Sequence, residues 1–198
     1  MSNRNKLCVL ILAAGSSSRM GSPKQLLAWK NTSLLGHAIS QAKQVSDDVF
    51  VILGANANDI RSTIGNDVVV IENPNWEKGM GTSIALGVRK LIALYSFEAV
   101  LIMLADQPLL EAPYLLGLKE NFLGSEYKIV ATSYGLKNGV PAVFDASLFA
   151  DLSVLNEDYG ARKLMEAYSD SLKTIDPNGK AIDIDTPDTY QQLLNQNV

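Results

Sequence analysis

The chain has little with which to build a cross-linked protein or a zinc centre. Its 198 residues include one cysteine, Cys8, and one histidine, His37. A lone cysteine excludes an intrachain disulfide framework. One Cys with one His also excludes a zinc site of the ordinary thiolate–imidazole kind. Long apolar runs are missing too. The run Leu7 to Ala14 is eight residues long, against the ~20 that a membrane-spanning helix takes. It follows Arg4 and Lys6, as a signal sequence would, but Gly15-Ser16-Ser17-Ser18-Arg19 comes next and the run reads as a buried first strand. These absences predict a cytoplasmic protein with no membrane partner.

Acidic residues are absent from the first 46 positions, which hold six bases: Arg4, Lys6, Arg19, Lys24, Lys30 and Lys43. The other 11 Lys or Arg and all 21 Asp or Glu lie downstream. An acidic body without interleaved basic and aromatic residues argues against a nucleic-acid partner. It leaves room for a local anion site near the N-terminus, where a stray carboxylate would repel the ligand. Arg4, Lys6, Lys30 and Lys43 read as solvated surface.

What is present is an ordinary globular composition, 47% apolar and 19% charged, which excludes disorder and low complexity. The length predicts one domain over residues 1–198, with no repeat or linker. Short apolar runs at 7–13, 49–53, 68–71, 99–104, 128–132 and 142–144 read as strands. Amphipathic stretches at 34–45, 58–64, 82–95, 112–122 and 161–168, and one starting near Pro187, read as helices. Strands apolar on both faces and separated by helices imply a mostly parallel sheet covered on both sides. The fold class is therefore α/β, a three-layer α/β/α sandwich with a Rossmann-like sheet. Ligands in such sheets sit beyond the carboxyl ends of the strands, after Ala13, Ile71 and Leu104.

Four segments carry chemistry. After the first strand comes Leu12-Ala13-Ala14-Gly15-Ser16-Ser17-Ser18-Arg19-Met20-Gly21-Ser22-Pro23-Lys24-Gln25. Small residues let successive N–H groups face an anion, and the hydroxyls add donors. Arg19 offers a planar fork for phosphate and Lys24 a mobile point charge. A Walker loop fails, because Gly21 is followed by Ser22-Pro23-Lys24; the dinucleotide pattern fails at Ser17 and Met20. In Asn73-Pro74-Asn75-Trp76-Glu77-Lys78-Gly79-Met80-Gly81-Thr82-Ser83, the glycines permit close backbone approach, and Thr82 or Ser83 is placed to cap a helix. Asp106, in Leu104-Ala105-Asp106-Gln107-Pro108, points into the expected cleft as a Mg²⁺ ligand or as an Asx-turn residue. Near the C-terminus, alternation puts Asp183 and Asp185 on one strand face. Thr186 and Pro187 form a helix start. His37 reads as a packing residue.

These segments together resemble the molybdenum-cofactor nucleotidyltransferase family, its cytidylyltransferase branch in particular. Leu12-Ala13-Ala14-Gly15-x-Ser17-x-Arg19-Met20-Gly21-x-x-Lys24 is similar to that family's signature loop, and Asp106-Gln107-Pro108 to the branch's aspartate segment. The resemblance implies a nucleotide-diphospho-sugar transferase-like fold and Mg²⁺-dependent transfer of CMP from CTP to the phosphate of molybdopterin, releasing pyrophosphate. It implies catalytic roles for Lys24, Arg19 and Asp106. Nucleotide contacts fall on Leu12, Ala13, Ala14, Gly15, Ser16, Ser17, Arg19, Lys24, Gly79, Gly81 and Ser83, and metal ligands on Asp106 and Asp185. A molybdenum hydroxylase or its chaperone is the implied recipient. CTP rather than GTP follows from Leu-Ala-Ala-Gly and Pro-Lys, where the guanylyl branch has Leu-Ala-Gly-Gly and Asp-Lys; the methyl group of Ala14 also narrows the base pocket. Lys137-Asn138-Gly139-Val140-Pro141 resembles the acceptor-side segment, with Val140 where the family often has His. Asp158-Tyr159-Gly160-Ala161-Arg162 resembles a Gly-Ala-Arg turn, with Arg162 as helix cap or acceptor contact. Two alternatives stay open: a cytidylyltransferase for another acceptor such as methylerythritol phosphate, and a non-catalytic protein that delivers the cofactor.

Overall fold

The computed structural model describes residues 6–156 and 158–197; Arg4 lies outside them. In chain order the elements are β1 (Leu7–Ala13), the short strands β2 (Ala28–Trp29) and β3 (Thr32–Ser33), α1 (Leu34–Lys43), β4 (Val49–Leu53), α2 (Ala57–Arg61) and β5 (Val69–Glu72). Then come α3 (Met80–Leu94), β6 (Ala99–Leu104), α4 (Ala112–Leu123), β7 (Ile129–Ser133), β8 (Asn138–Asp145), α5 (Phe149–Leu152), α6 (Arg162–Ala167), β9 (Leu172–Ile175) and α7 (Pro187–Asn197). Seven strands form one sheet in the order β5-β4-β1-β6-β8-β7-β9. Only β8 runs antiparallel to its neighbours β6 and β7.

The sheet is apolar on both faces because it is covered on both. Along β1, Cys8, Leu10 and Leu12 face one core, packed with Ile84, Val88 and Leu91 of α3 and with residues of α5 and α6. Leu7, Val9, Ile11 and Ala13 face the other, with Leu35 and Ala38 of α1 and Leu115 and Leu118 of α4. Period-two side-chain alternation thus feeds two separate cores from one strand. Helix α1 is capped by Ser33, whose side chain accepts the Gly36 N–H. His37 is buried on α1, with Nε2 3.1 Å from the Pro108 carbonyl oxygen. It packs beside Trp29, as a structural residue would.

Three expectations change. The strand expected at 142–144 extends over Asn138–Asp145 and pairs antiparallel. An unanticipated strand, β9, closes the sheet edge. Its pattern is half-buried rather than apolar, so it lacks the signal of a central strand. Asp183 and Asp185 do not lie on a strand: residues 180–185 have no regular secondary structure and enter no sheet. The segment passes over the strand ends instead. Ile184 is buried with Trp29, Leu34 and Leu193, and its N–H donates to the Asp106 carbonyl at 2.9 Å. Burying Ile184 turns its two neighbours the opposite way, so the alternation survives without the ladder.

Candidate active site

A cavity of about 410 Å³ opens beyond the carboxyl ends of β1 and β6 and beside the start of α3. The loop after β1 forms one wall, and its shape is fixed by its own side chains. Ser17 has φ 57°, a left-handed turn that is uncommon outside glycine. Its Oγ accepts the Lys24 N–H at 3.0 Å and donates to Gln25 Oε1 at 3.3 Å. Gln25 is buried, and its Nε2 donates to the carbonyl oxygens of Ala13 and Gly15 at 2.9 and 3.0 Å. One amide therefore ties both ends of the turn together.

Lys24 projects from this loop to the cavity floor. Its ammonium lies 2.5 Å from Asp106 Oδ2 and 2.8 Å from Asp185 Oδ1. The Lys24 and Asp106 side chains are only 15% and 17% exposed. Burial works against the charge on Lys24, yet the two carboxylates outweigh it and hold its pKa above the ordinary value. Burial would raise Asp185, but Lys24 and Arg19 together hold its pKa below the usual carboxylate range. Arg19 meets the same Asp185 at 2.8 Å from the rim, 67% exposed. Asp183 differs: burial first, and then the nearby Asp106 charge, push its pKa up. A second oxygen of Asp106, Oδ1, is buried with no hydrogen-bond partner.

The opposite wall comes from the segment after β5. Asn73 is buried, and its Nδ2 donates to Thr82 Oγ1 and Ser83 Oγ, both at 3.0 Å. Neither Thr82 nor Ser83 caps α3, whose N-cap is Gly79. Gly79 has φ +106°, and a Cβ there would stand 2.7 Å from the Asp158 Cα. That conformation and that contact both demand glycine. At Gly54, just past β4, a Cβ would meet the Trp76 Cβ at 2.5 Å and the Ala14 carbonyl oxygen at 2.7 Å. Trp76 reaches the cavity over this glycine.

A second cavity, of about 330 Å³, adjoins the first, and the two share Met80, Leu104, Asp158 and Asp183 in their walls. Gln107, Tyr134, Lys137, Val140 and Arg162 line the second and not the first.

Of the residues singled out from sequence, Leu12, Ala13, Ala14, Gly15, Ser16, Lys24, Gly79, Ser83, Asp106 and Asp185 meet around the first cavity. Ser17, Arg19 and Gly81 do not line it. Ser17 acts inside the loop, Arg19 stands on the rim, and Gly81 is buried in the first turn of α3. Gln25, Met80 and Asp158 stand inside the quoted motifs without a role assigned to them, and Gly54 lies outside every motif. Gln25 is defined by the turn it ties, and Gly54 and Asp158 by what folds against them. No helix among the described residues is long and apolar enough to cross a membrane.

Residues 9–172 match the profile of the MobA-like NTP transferase domain. The chain belongs to that family. Its architecture agrees: the Rv0371c protein of Mycobacterium tuberculosis H37Rv superposes with a TM-score of 0.78 at 28% identity, over 96% of this chain and 99% of that one. A second structure of the same protein, a complex with manganese, gives a TM-score of 0.72 at 26% identity over 96% and 99% of the chains. Among curated relatives, the molybdenum cofactor cytidylyltransferase of Escherichia coli K12 is 32% identical over 40% of this chain and 42% of its own length. The bifunctional protein GlmU of Pseudomonas savastanoi pv. phaseolicola is 35% identical over 55% of this chain. This MobA-like chain spans about a quarter of GlmU and two fifths of the cytidylyltransferase.

Proposed function

We propose that the chain transfers CMP from CTP to the phosphate of molybdopterin, with Mg²⁺ as cofactor and pyrophosphate as the other product. The observation that carries this reading is the meeting of Lys24, from the loop after β1, with Asp106 and Asp185 on the cavity floor. In the reaction an oxygen of the acceptor phosphate bonds to the α-phosphorus while the bond from that phosphorus to the bridging β-oxygen breaks. The attacking oxygen is already ionised at neutral pH, so the protein has to align two polyanions and offset developing charge. His37 is held against Pro108 and Cys8 is buried, so neither is offered as a nucleophile.

Lys24 carries its charge at neutral pH and is placed to exchange carboxylate for phosphate oxygens. Arg19 and the loop amides suit the departing pyrophosphate. Asp106 and Asp185 would hold Mg²⁺, and the unpartnered Oδ1 of Asp106 is the oxygen that fits a cation. Among the described residues no group of three or more His, Cys, Asp or Glu forms a metal cage. That suits Mg²⁺, which keeps waters and takes phosphate oxygens beside one or two carboxylates. When bound, it screens the repulsion between phosphates. The manganese complex of the related mycobacterial protein supports a divalent cation here. Ala14 in the cavity wall favours a pyrimidine base, and the recipient of the product would be a molybdenum hydroxylase or its chaperone. A pyrophosphate-release assay with Mg²⁺ tests the proposal, comparing CTP with GTP and molybdopterin with methylerythritol phosphate. Release only with CTP and molybdopterin is expected. Release with methylerythritol phosphate, or with no combination, overturns the acceptor assignment.

A further inference from the structure

The two cavities differ in how their charges are used. At the first, Lys24 on the floor and Arg19 on the rim are both paired with carboxylates. In the second, Lys137 and Arg162 pair with no carboxylate among the described residues, and the Arg162 Nε is buried without a hydrogen-bond partner. The side chain of Arg162 caps nothing; the N-cap of α6 is Ala161. The residue as a whole is half-buried, so the cost falls on that one N–H, which is left desolvated unless a ligand completes it.

Gln107 gives an independent sign that this cavity is made for a polar ligand. The residue is 4% exposed. Its Nε2 lies 2.7 Å from both Tyr134 Oη and Asp183 Oδ1. Tyr134 in turn donates to the Val140 carbonyl at 2.6 Å, so its oxygen must accept from Gln107. These contacts fix the amide and leave Oε1 buried and unpartnered. The cavity therefore offers two cations and one acceptor oxygen that the fold itself does not use.

Position narrows the ligand further. The acids Asp158 and Asp183 stand on the wall shared with the first cavity, whereas Lys137 and Arg162 line only the second. The reacting phosphate has to lie at the junction, within reach of the α-phosphorus. Cations away from the junction face another part of the molecule. We infer that Arg162, with Lys137, binds a second anionic group of the acceptor, remote from the phosphate that attacks, and that Gln107 Oε1 takes an N–H or O–H of the same molecule. The inference rests on the reading that the first cavity takes the nucleotide. It makes Arg162 a specificity determinant, selecting acceptors with negative charge at both ends over simple monophosphates.

Inorganic phosphate serves as the probe. The ¹⁵Nε–¹H signal of Arg162 in the full chain is followed during a phosphate titration, first alone and then with Mg²⁺ and a non-transferable CTP analogue present. A saturable shift is expected in both arms. Read on the Ala161 amide, Arg162→Gln should weaken phosphate affinity about 10- to 100-fold, the worth of one charge-assisted contact. Lys137→Gln should weaken it less, and Arg162→Lys should retain most of it. An Arg162 signal that stays put, wild-type phosphate affinity in Arg162→Gln, or a shift abolished by the analogue overturns the inference. Failure of the analogue to bind would instead overturn the nucleotide reading, and the phosphate-only arm would still decide the fate of Arg162.

Discussion

Replacing Lys24 with Met keeps the aliphatic stem and removes the charge. In the folded chain this strips Oδ2 of Asp106 of its partner 2.5 Å away, when Oδ1 already has none. A hydrogen bond to a charged group is worth about 1.5–3 kcal/mol, and an abandoned partner keeps its desolvation cost. The Asp185 contact adds little, because that carboxylate is 37% exposed and keeps Arg19; exposed pairs are worth about 0.2–1 kcal/mol. The expected loss is therefore about 2–4 kcal/mol, or roughly 4–15 °C in Tm for a chain of this size. The Lys24 pKa is raised in the folded state, so its contribution is fully present below the unfolded value of 10.5 and lost as pH climbs through the folded one. The deficit of the variant from this group should accordingly be flat around neutrality.

Catalysis should suffer more than binding. On the proposed reading, removing a preorganised charge from the reacting centre costs about 10²–10³ in kcat, while Arg19 and the loop amides would remain to hold the nucleotide. Thermal unfolding, nucleotide titration and pyrophosphate release on Lys24→Met separate the effects. The double variant with Asp106→Asn should recover part of the stability, with a coupling energy above about 1 kcal/mol. A variant with unchanged kcat and a raised KM would refute the proposed catalytic role of Lys24. Additive stability losses would refute the pairing argument.

Asp183→Asn should raise Tm at neutral pH. The folded pKa of Asp183 is raised, so its stabilising effect is present below the ordinary value of 3.8 and declines as pH rises through the folded value. Melting curves of the two proteins should converge in acid, and a neutral-pH loss would contradict this. Gln25→Leu removes the amide that joins Ala13 and Gly15. Calorimetric titration should show at least about a threefold weaker nucleotide, with about 1–3 kcal/mol lost in denaturant melts from the unpaired carbonyls. Gly54→Ala forces Trp76 or the Ala14 carbonyl to move, at a cost of about 1–3 kcal/mol. Quenching of Trp76 fluorescence by nucleotide should fall in the same variant, and an unperturbed signal would sink the contact.

Much of the scaffold is legible in the order of residues. The strands expected at 49–53 and 99–104 match the observed bounds, because a strand buried on both faces is written as an uninterrupted apolar run between turn residues. The half-exposed strand β9 is not legible, since its pairing with β7 rather than its composition makes it a strand. Helix α3 begins at Met80 rather than Thr82, because Gly79, held against Asp158, sets its start from outside the helix. Asp183 and Asp185 share a direction without sharing a strand, since Ile184 is anchored by packing and by the Asp106 carbonyl.

The absences in the sequence settled that this chain closes no intrachain disulfide and places no acid within its first 46 positions; packing then brought Asp106 and Asp185 to the first loop from far along the chain. Its local patterns settled the layers of the fold and supplied the candidate site residues, because periodicity and turn chemistry act between near neighbours. Only the tertiary structure decided which of those residues meet. Lys24 and Asp185 are 161 positions apart in the chain, yet they share a contact of 2.8 Å. It also left Arg162 and Lys137 without carboxylate partners among the described residues. Whether a charge is paired or free depends on the burial and proximity that packing creates, and no one-dimensional pattern encodes it.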